Sequence, residues 1–194
     1  MVNPVEDLAA LLQRQKAARI AEGPVNAAVR RDRLQRAIDM LVRHRDALCD
    51  ALDADFGNRP RVVSLTMDVM GAITSLKYAQ KHVARWMKPR HCKGVMPFSL
   101  FGARGWVEYQ PKGVVGILGT WNFPLYTMLA PLAYVLAAGN RSLIKPSELN
   151  PRTAETLARA VPECFDPAEV AVVNGGVDVG RAFAALPFDH LVLT

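Results

Sequence analysis

From Gly113 onward the chain alternates short apolar runs with longer helical stretches, and this alternation restricts the possible folds more than any other feature. Val114-Val115-Gly116-Ile117-Leu118, Ser142-Leu143-Ile144-Lys145, Val170-Ala171-Val172-Val173 and His190-Leu191-Val192-Leu193-Thr194 have the length and β-branched content of buried strands. Between them lie helical stretches at about 125–138, 151–161 and 178–185, the second with Asn150 as N-cap and Pro151 at its first position. Near-continuous apolar strands, each followed by a helix, predict a parallel sheet covered on both faces. The right-handed crossover rule then makes it a doubly wound, Rossmann-like half-sheet. A last apolar strand with no helix to cover it leaves an open edge, so the expectation is a domain cut short there, prone to self-association.

Residues 1–100 have a different character. Helices are expected at about 9–20, 26–53 and 63–87, separated by Gly23-Pro24 and by the breaker cluster Phe56-Gly57-Asn58-Arg59-Pro60. Lys93-Gly94-Val95-Met96-Pro97 reads as a loop, and Trp106-Val107-Glu108-Tyr109-Gln110 as a half-exposed strand. The organisation is thus an N-terminal helical region, 1–100, and a partial dinucleotide-binding domain, 101–194, that ends mid-domain.

Composition excludes several classes. With 51% apolar and 22% charged residues, the 194-residue chain is of ordinary globular type. It has no apolar run approaching the ~20 residues of a membrane span. The opening Met-Val-Asn-Pro-Val-Glu-Asp lacks the pattern of a secretion signal, so a cytoplasmic location is expected. Cys49, Cys92 and Cys164 are odd in number and unpaired in spacing, which argues against disulfides and against a metal site. The net charge of +6 is concentrated in residues 1–100, with 17 Lys/Arg against 10 Asp/Glu. In residues 30–43 the charges fill the gaps between Leu34, Ala37, Ile38, Leu41 and Val42, as on the solvated face of a helix. No aromatic residues are interleaved for stacking on bases, so nucleic-acid binding is not expected.

In sheets of this kind ligands bind beyond the carboxyl ends of the strands. Three clusters fall there. Gly119-Thr120-Trp121-Asn122-Phe123-Pro124 offers the neutral amide of Asn122, which can stabilise an oxyanion without titrating, or can simply cap the next helix. Lys145-Pro146-Ser147-Glu148 sets an ammonium and a carboxylate around a stiff turn. That arrangement suits the vicinal hydroxyls of a ribose, or makes an ordinary surface ion pair. Glu148 would repel a 2′-phosphate, which favours NAD over NADP. Asn174-Gly175-Gly176, with Gly180, lets backbone approach a flat ligand such as adenine. A G-x-G-x-x-G fingerprint is absent, because the glycines of Gly113-Val114-Val115-Gly116-Ile117-Leu118-Gly119 are wrongly spaced. Ser142 and Ser147 lack a hydrolase elbow, and Cys164 lies past a helix end on the side away from the strand tips.

Taken together, Val114-Val115-Gly116-Ile117, Trp121-Asn122-Phe123-Pro124, Ala137-Ala138-Gly139-Asn140, Lys145-Pro146-Ser147-Glu148 and Pro151-x-Thr153 resemble the aldehyde dehydrogenase superfamily. The resemblance extends from about residue 30 to 194 and is firmest over 107–194. Ala182-Phe183, Leu186-Pro187-Phe188-Asp189-His190-Leu191 and Trp106-Val107-Glu108-Tyr109-Gln110-Pro111 are similar to its coniferyl aldehyde dehydrogenase branch.

The resemblance implies a sheet of the aldehyde dehydrogenase type, an aldehyde substrate, NAD (or NADP) as cofactor and a homo-oligomeric complete protein. It implies oxyanion stabilisation by Asn122, ribose contacts from Lys145 and Glu148, and backbone near adenine at Gly176. Thr120, Trp121 and Ser147 fall among the implied cofactor contacts. In the family a cysteine thiolate attacks the aldehyde, hydride passes to the nicotinamide, and a glutamate-activated water releases the acid. That cysteine, that glutamate and the phosphate-contacting loop come later in the family than the position of Thr194. The chain alone is therefore expected to be inactive. Two alternatives remain at this level: a non-catalytic nucleotide-binding remnant, and a basic helical interaction module built on residues 1–90.

Overall fold

A computed structural model describes residues 4–92, 94 and 96–194. Residues 1–3 of the chain start, and Lys93 and Val95 of the expected 93–97 loop, lie outside the described residues. The N-terminal part comprises α1 (Pro4–Glu22), α2 (Ala27–Phe56), α3 (Arg61–Val63), a π-helical segment (Ser64–Met70) and α4 (Gly71–Trp86). A two-stranded antiparallel ribbon, β1 (Arg90–Cys92) with β2 (Gly105–Val107), follows. Then come β3 (Val114–Leu118), α5 (Pro124–Ala137), β4 (Arg141–Lys145), α6 (Pro151–Ala160), β5 (Val170–Val172), α7 (Val177–Ala184) and β6 (His190–Leu193).

The last four strands form one parallel sheet in the order β5-β4-β3-β6. The chain runs outward from β3 to β5, then returns to place β6 on the other side of β3. Side chains of each strand alternate between two cores, as the pleat requires. Val115, Ile117, Ile144 and Val170 join a large core with α2, α4, α5 and α6. Val114, Leu143 and Ala171 point the other way, against Leu8 and Leu12 of α1 and Phe183 of α7. Strands β3, β4 and β5 are therefore covered on both faces, as their apolar sequences predict, whereas β6 at the edge is largely exposed. The larger core is continuous from Leu34 of α2 to Val170 of β5.

Several resemblance motifs serve the amino ends of these strands. Gly113, at φ 144°, has its N–H bonded to Asn140 Oδ1 at 2.9 Å. A Cβ there would stand 2.1 Å from Asp189 Oδ2, the oxygen that accepts the Val114 N–H. Glycine is required at that close approach. Asn140 and Asp189 thus fix the start of β3.

Four local expectations are corrected. The helix expected over 63–87 is interrupted by the π-helical segment, which widens one turn. The strand expected over 106–110 is confined to Gly105–Val107 and pairs with β1, whose short polar sequence gave no strand signal. Asn150 makes no capping hydrogen bond, and its Oδ1 is buried without a partner. The amino end of α6 is capped instead by Asp55 of α2.

The fourth correction concerns the basic stretch of α2. Arg30 and Arg33 are buried rather than solvated. Arg33 bonds Glu22 and Glu169, Arg36 bonds Glu169 and Asp32, and Arg30 donates to the carbonyls of Val25 and Ala137. These cations tie α2 to α1, to the loop before β5 and to the end of α5, while Arg31, Arg43 and Arg45 of the same helix stay exposed. No described helix is long and apolar enough to cross a membrane.

Candidate active site at the carboxyl ends of the strands

The turn after β3 carries Thr120, Trp121 and Asn122, and the turn after β4 carries Ser147 and Glu148. These five residues, with Gly119, Thr127, Leu149 and Thr194, line one open cavity of about 600 Å³. Two smaller cavities of about 300 Å³ adjoin it. One is bounded by Ser147, Glu148, Pro151, Asn174 and Gly176, the other by Lys145, Glu148, Val177, Gly180 and Arg181. All seven residues selected from sequence therefore gather around the tips of β3, β4 and β5.

The parallel register of β3 and β4 explains the juxtaposition. Leu118 stands opposite Lys145, so both strands end together and their turns face the same side. Lys145 is 2% exposed, and its Nζ donates to Glu148 Oε2 at 3.1 Å. An ammonium makes up to three hydrogen bonds, so this pair leaves Lys145 with donors to spare. Glu148, at the rim, has its carboxyl held below the usual range by its own backbone N–H and then by the Lys145 ammonium. It is an acceptor at neutral pH. The Ser147 hydroxyl accepts from the Leu149 N–H at 3.2 Å and shapes the turn.

Asn122 is exposed to the cavity, and its Oδ1 accepts from the Thr120 hydroxyl at 2.8 Å. It does not cap α5. That service falls to Asp68, whose Oδ1 accepts the N–H groups of Leu125 and Tyr126 at 3.1 and 3.3 Å. With Oδ1 occupied and the helix end satisfied elsewhere, the two Nδ2 hydrogens are the donors left to a ligand. Thr127 Oγ1 accepts the Thr120 N–H at 3.3 Å and bonds the Phe123 carbonyl, closing the turn.

A nicotinamide dinucleotide fits the adenosine side of this arrangement. A Cβ built on Gly176 meets nothing within 4 Å, so the protein's own packing does not demand glycine there and the space is open to a ligand. Glu148 lines the same cavity as Gly176, and the buried Lys145 donor lines the adjoining one beside Gly180.

The three cysteines are elsewhere: Cys49 is buried in α2, Cys92 is exposed on β1, and Cys164 is half-buried after α6. Burial pushes the thiols of Cys49 and Cys164 up, the reverse of an activated nucleophile. A further cavity, about 730 Å³, lies between α2, α4 and α5 and is lined by Arg30, Arg85, Trp86, Arg90 and Tyr134 among others. It holds neither a carboxylate nor a thiol. No group of three or more metal-ligating side chains occurs among the described residues.

Sequence reasoning missed Arg59 and Asp68, which support the Asn122 turn, and Asp55. Their partners are distant in sequence, and no local pattern marks them.

The fold is that of one family: residues 5–193 match the aldehyde dehydrogenase family, and the chain belongs to it. It is 48% identical to a coniferyl aldehyde dehydrogenase of Pseudomonas sp. (strain HR199 / DSM 7063) over 97% of its own length and 38% of that relative's. A substrate-bound Staphylococcus aureus AldH matches with a TM-score of 0.87 at 26% identity, over 94% of this chain and 39% of that one. A Mycobacterium tuberculosis aldehyde dehydrogenase complexed with NAD+ matches at 0.79 and 26% identity, over 96% and 38% respectively. The chain thus spans about two fifths of the length of the proteins it matches.

Proposed function

We propose that these residues supply the adenosine contacts and the oxyanion donor of an enzyme that oxidises an aldehyde to its carboxylic acid with NAD(P). The aldehyde is coniferyl or another aromatic one, a choice supported by the Pseudomonas relative. The observation that carries the reading is the gathering of Thr120, Trp121, Asn122, Lys145, Ser147, Glu148 and Gly176 around adjoining cavities.

On this reading Lys145 donates to a ribose hydroxyl and Glu148 accepts from one, while Gly176 leaves room for adenine. The ionised Glu148 disfavours a 2′-phosphate, so NAD is preferred over NADP. Bound nicotinamide supplies the hydride acceptor. Asn122 Nδ2 donates to the aldehyde oxygen, and its bond strengthens as that oxygen gains negative charge on nucleophilic attack. The chemistry belongs to residues 101–194, and residues 1–100 position it through Asp55, Arg59 and Asp68.

None of the three cysteines lines these cavities. On this reading the attacking thiolate comes from polypeptide other than these 194 residues, which alone do not turn over aldehyde. The same observation favours a second reading, in which the chain only binds nucleotide. Self-association of the complete protein belongs to the proposal as well. It is supported by the exposed apolar side chains of Phe98, Leu100, Phe101, Trp106 and Tyr109, a grouping seldom left in water.

The test is Asn122→Ala in a polypeptide of the relatives' full length that carries these residues. Loss of about 10²–10³ in kcat for coniferyl aldehyde, with NAD affinity unchanged, is expected. An unchanged kcat leaves the nucleotide-only reading.

A further inference from the structure

The Asn122 turn rests on a buried ion pair brought from the N-terminal helices. Arg59 donates through Nη2 to Asp68 Oδ2 at 2.5 Å and through Nη1 to the backbone carbonyl of Asn122 at 3.1 Å. Its guanidinium lies 4.5 Å from the ring centroid of Phe56 and 5.2 Å from that of Phe123, the residue after Asn122. Asp68 is fully buried, and its second oxygen holds the first N–H groups of α5. One pair of side chains therefore grips both the last carbonyl of the turn and the start of the helix that follows it.

Burying such a pair is expensive, and apolar replacements often match or exceed its contribution to stability. What an apolar pair cannot supply is direction. A planar guanidinium offers its donors in a fixed fork, here spent on one carboxylate and one carbonyl. The π-helical segment Ser64–Met70 contains Asp68, and such wide turns commonly occur at functional sites. On the cavity side the Thr120 hydroxyl occupies Asn122 Oδ1, so the amide is fixed at its backbone from below and at its oxygen from beside.

We infer that Arg59 and Asp68 are positioning residues for Asn122, holding its backbone so that Nδ2 faces the reacting oxygen, while Thr120 sets which way round the amide sits. The inference rests on the reading of Asn122 as donor to the aldehyde oxygen. Misplacement of such a donor by about 1 Å costs on the order of 10²-fold in rate.

The experiment is nitrogen-15 NMR of the chain and of Arg59→Lys and Asp68→Asn, with the Asn122 side-chain amide assigned by its loss in Asn122→Ala. In the unaltered chain the Asn122 amide pair should stand apart from the free asparagine signals, and Arg59 should show two resolved Nη signals from arrested rotation. Both variants should keep the fold by circular dichroism and move the Asn122 pair toward the free position. In the full-length polypeptide they should lower kcat by about 10- to 100-fold with nucleotide Kd unchanged.

An Asn122 pair that stays in place while the melting temperature falls makes the ion pair purely structural and overturns the inference. Should both variants unfold, the unaltered chain decides: two resolved Arg59 signals sustain the inference and one averaged signal ends it. If the pair moves but Asn122→Ala leaves kcat intact, positioning stands and the catalytic reading of Asn122 falls.

Discussion

Asp55 and Thr153 lie 98 residues apart and meet at the amino end of α6, where Asp55 Oδ2 accepts the Thr153 N–H at 2.8 Å and its hydroxyl at 2.7 Å. Asp55 Oδ1 takes the Arg152 N–H at 2.9 Å. A carboxylate at a helix start meets both unpaired N–H groups and the helix dipole. Because α6 follows directly on the Lys145–Glu148 turn, this contact also anchors one wall of the cavity lined by Ser147, Glu148, Pro151 and Gly176.

Replacing Asp55 by Ala should destabilise the chain by about 2 kcal/mol, the sum of a lost cap and a lost charged hydrogen bond. Denaturant titration measures this as a lowered midpoint at unchanged slope. An unaltered midpoint would show that α6 does not depend on Asp55.

Two glycines of the site should separate stability from binding. A Cβ at Gly119 would stand 2.5 Å from Met128 Cγ, so Gly119→Ala should cost about 1–3 kcal/mol through overpacking. At Gly176 the same atom meets nothing, so Gly176→Leu should leave the melting temperature within a degree or so while blocking nucleotide. Melting curves with and without NAD compare the two; equal destabilisation would contradict the assignment of Gly176.

The buried cations of α2 set an acid limit on stability. Burial opposes the charge on Glu169, yet Arg36 and Arg33 overcome it and hold the carboxyl below its ordinary 4.5. A carboxylate with a depressed folded pKa contributes stability that is complete above its unfolded value and is lost as pH falls through the folded one. Stability should therefore decline as pH drops below about 4.5. Glu169→Gln should cost about 2 kcal/mol at pH 7 and flatten that decline. A variant whose acid limb matches the unaltered chain would remove Glu169 from the account of acid sensitivity.

Glu148 should govern the choice of nucleotide. Glu148→Gln keeps a hydrogen-bonding side chain but removes the charge. It should weaken NAD about 10-fold and narrow the gap between NAD and NADP. An unchanged ratio of the two dissociation constants would place the ribose away from Glu148.

What was legible in the sequence, and what was not, divides by distance along the chain. The four strands of the main sheet and their helices are written in local apolar patterning, and all appear within a few residues of expectation. The gathering of Asn122, Lys145, Glu148 and Gly176 was legible for a related reason: they lie at or just after strand ends, and parallel register brings those ends together. Arg59 and Asp68 meet residues 57 or more positions away, so nothing near them in sequence marks their role. The same holds for Arg33, which looks like a surface cation until Glu22 and Glu169 arrive from other elements. Asn150 has the form of an N-cap and was displaced by a carboxylate from α2.

Nucleotide titration of the unaltered 194-residue chain, followed by backbone amide resonances, tests the assignment of the strand-tip cavities most directly. NAD should give saturable shifts confined to residues 118–122, 145–148 and 174–181. The Kd should be on the order of 1 mM. Absence of shifts at tens of millimolar, or shifts centred on Arg30, Arg85 and Tyr134 instead, would contradict it.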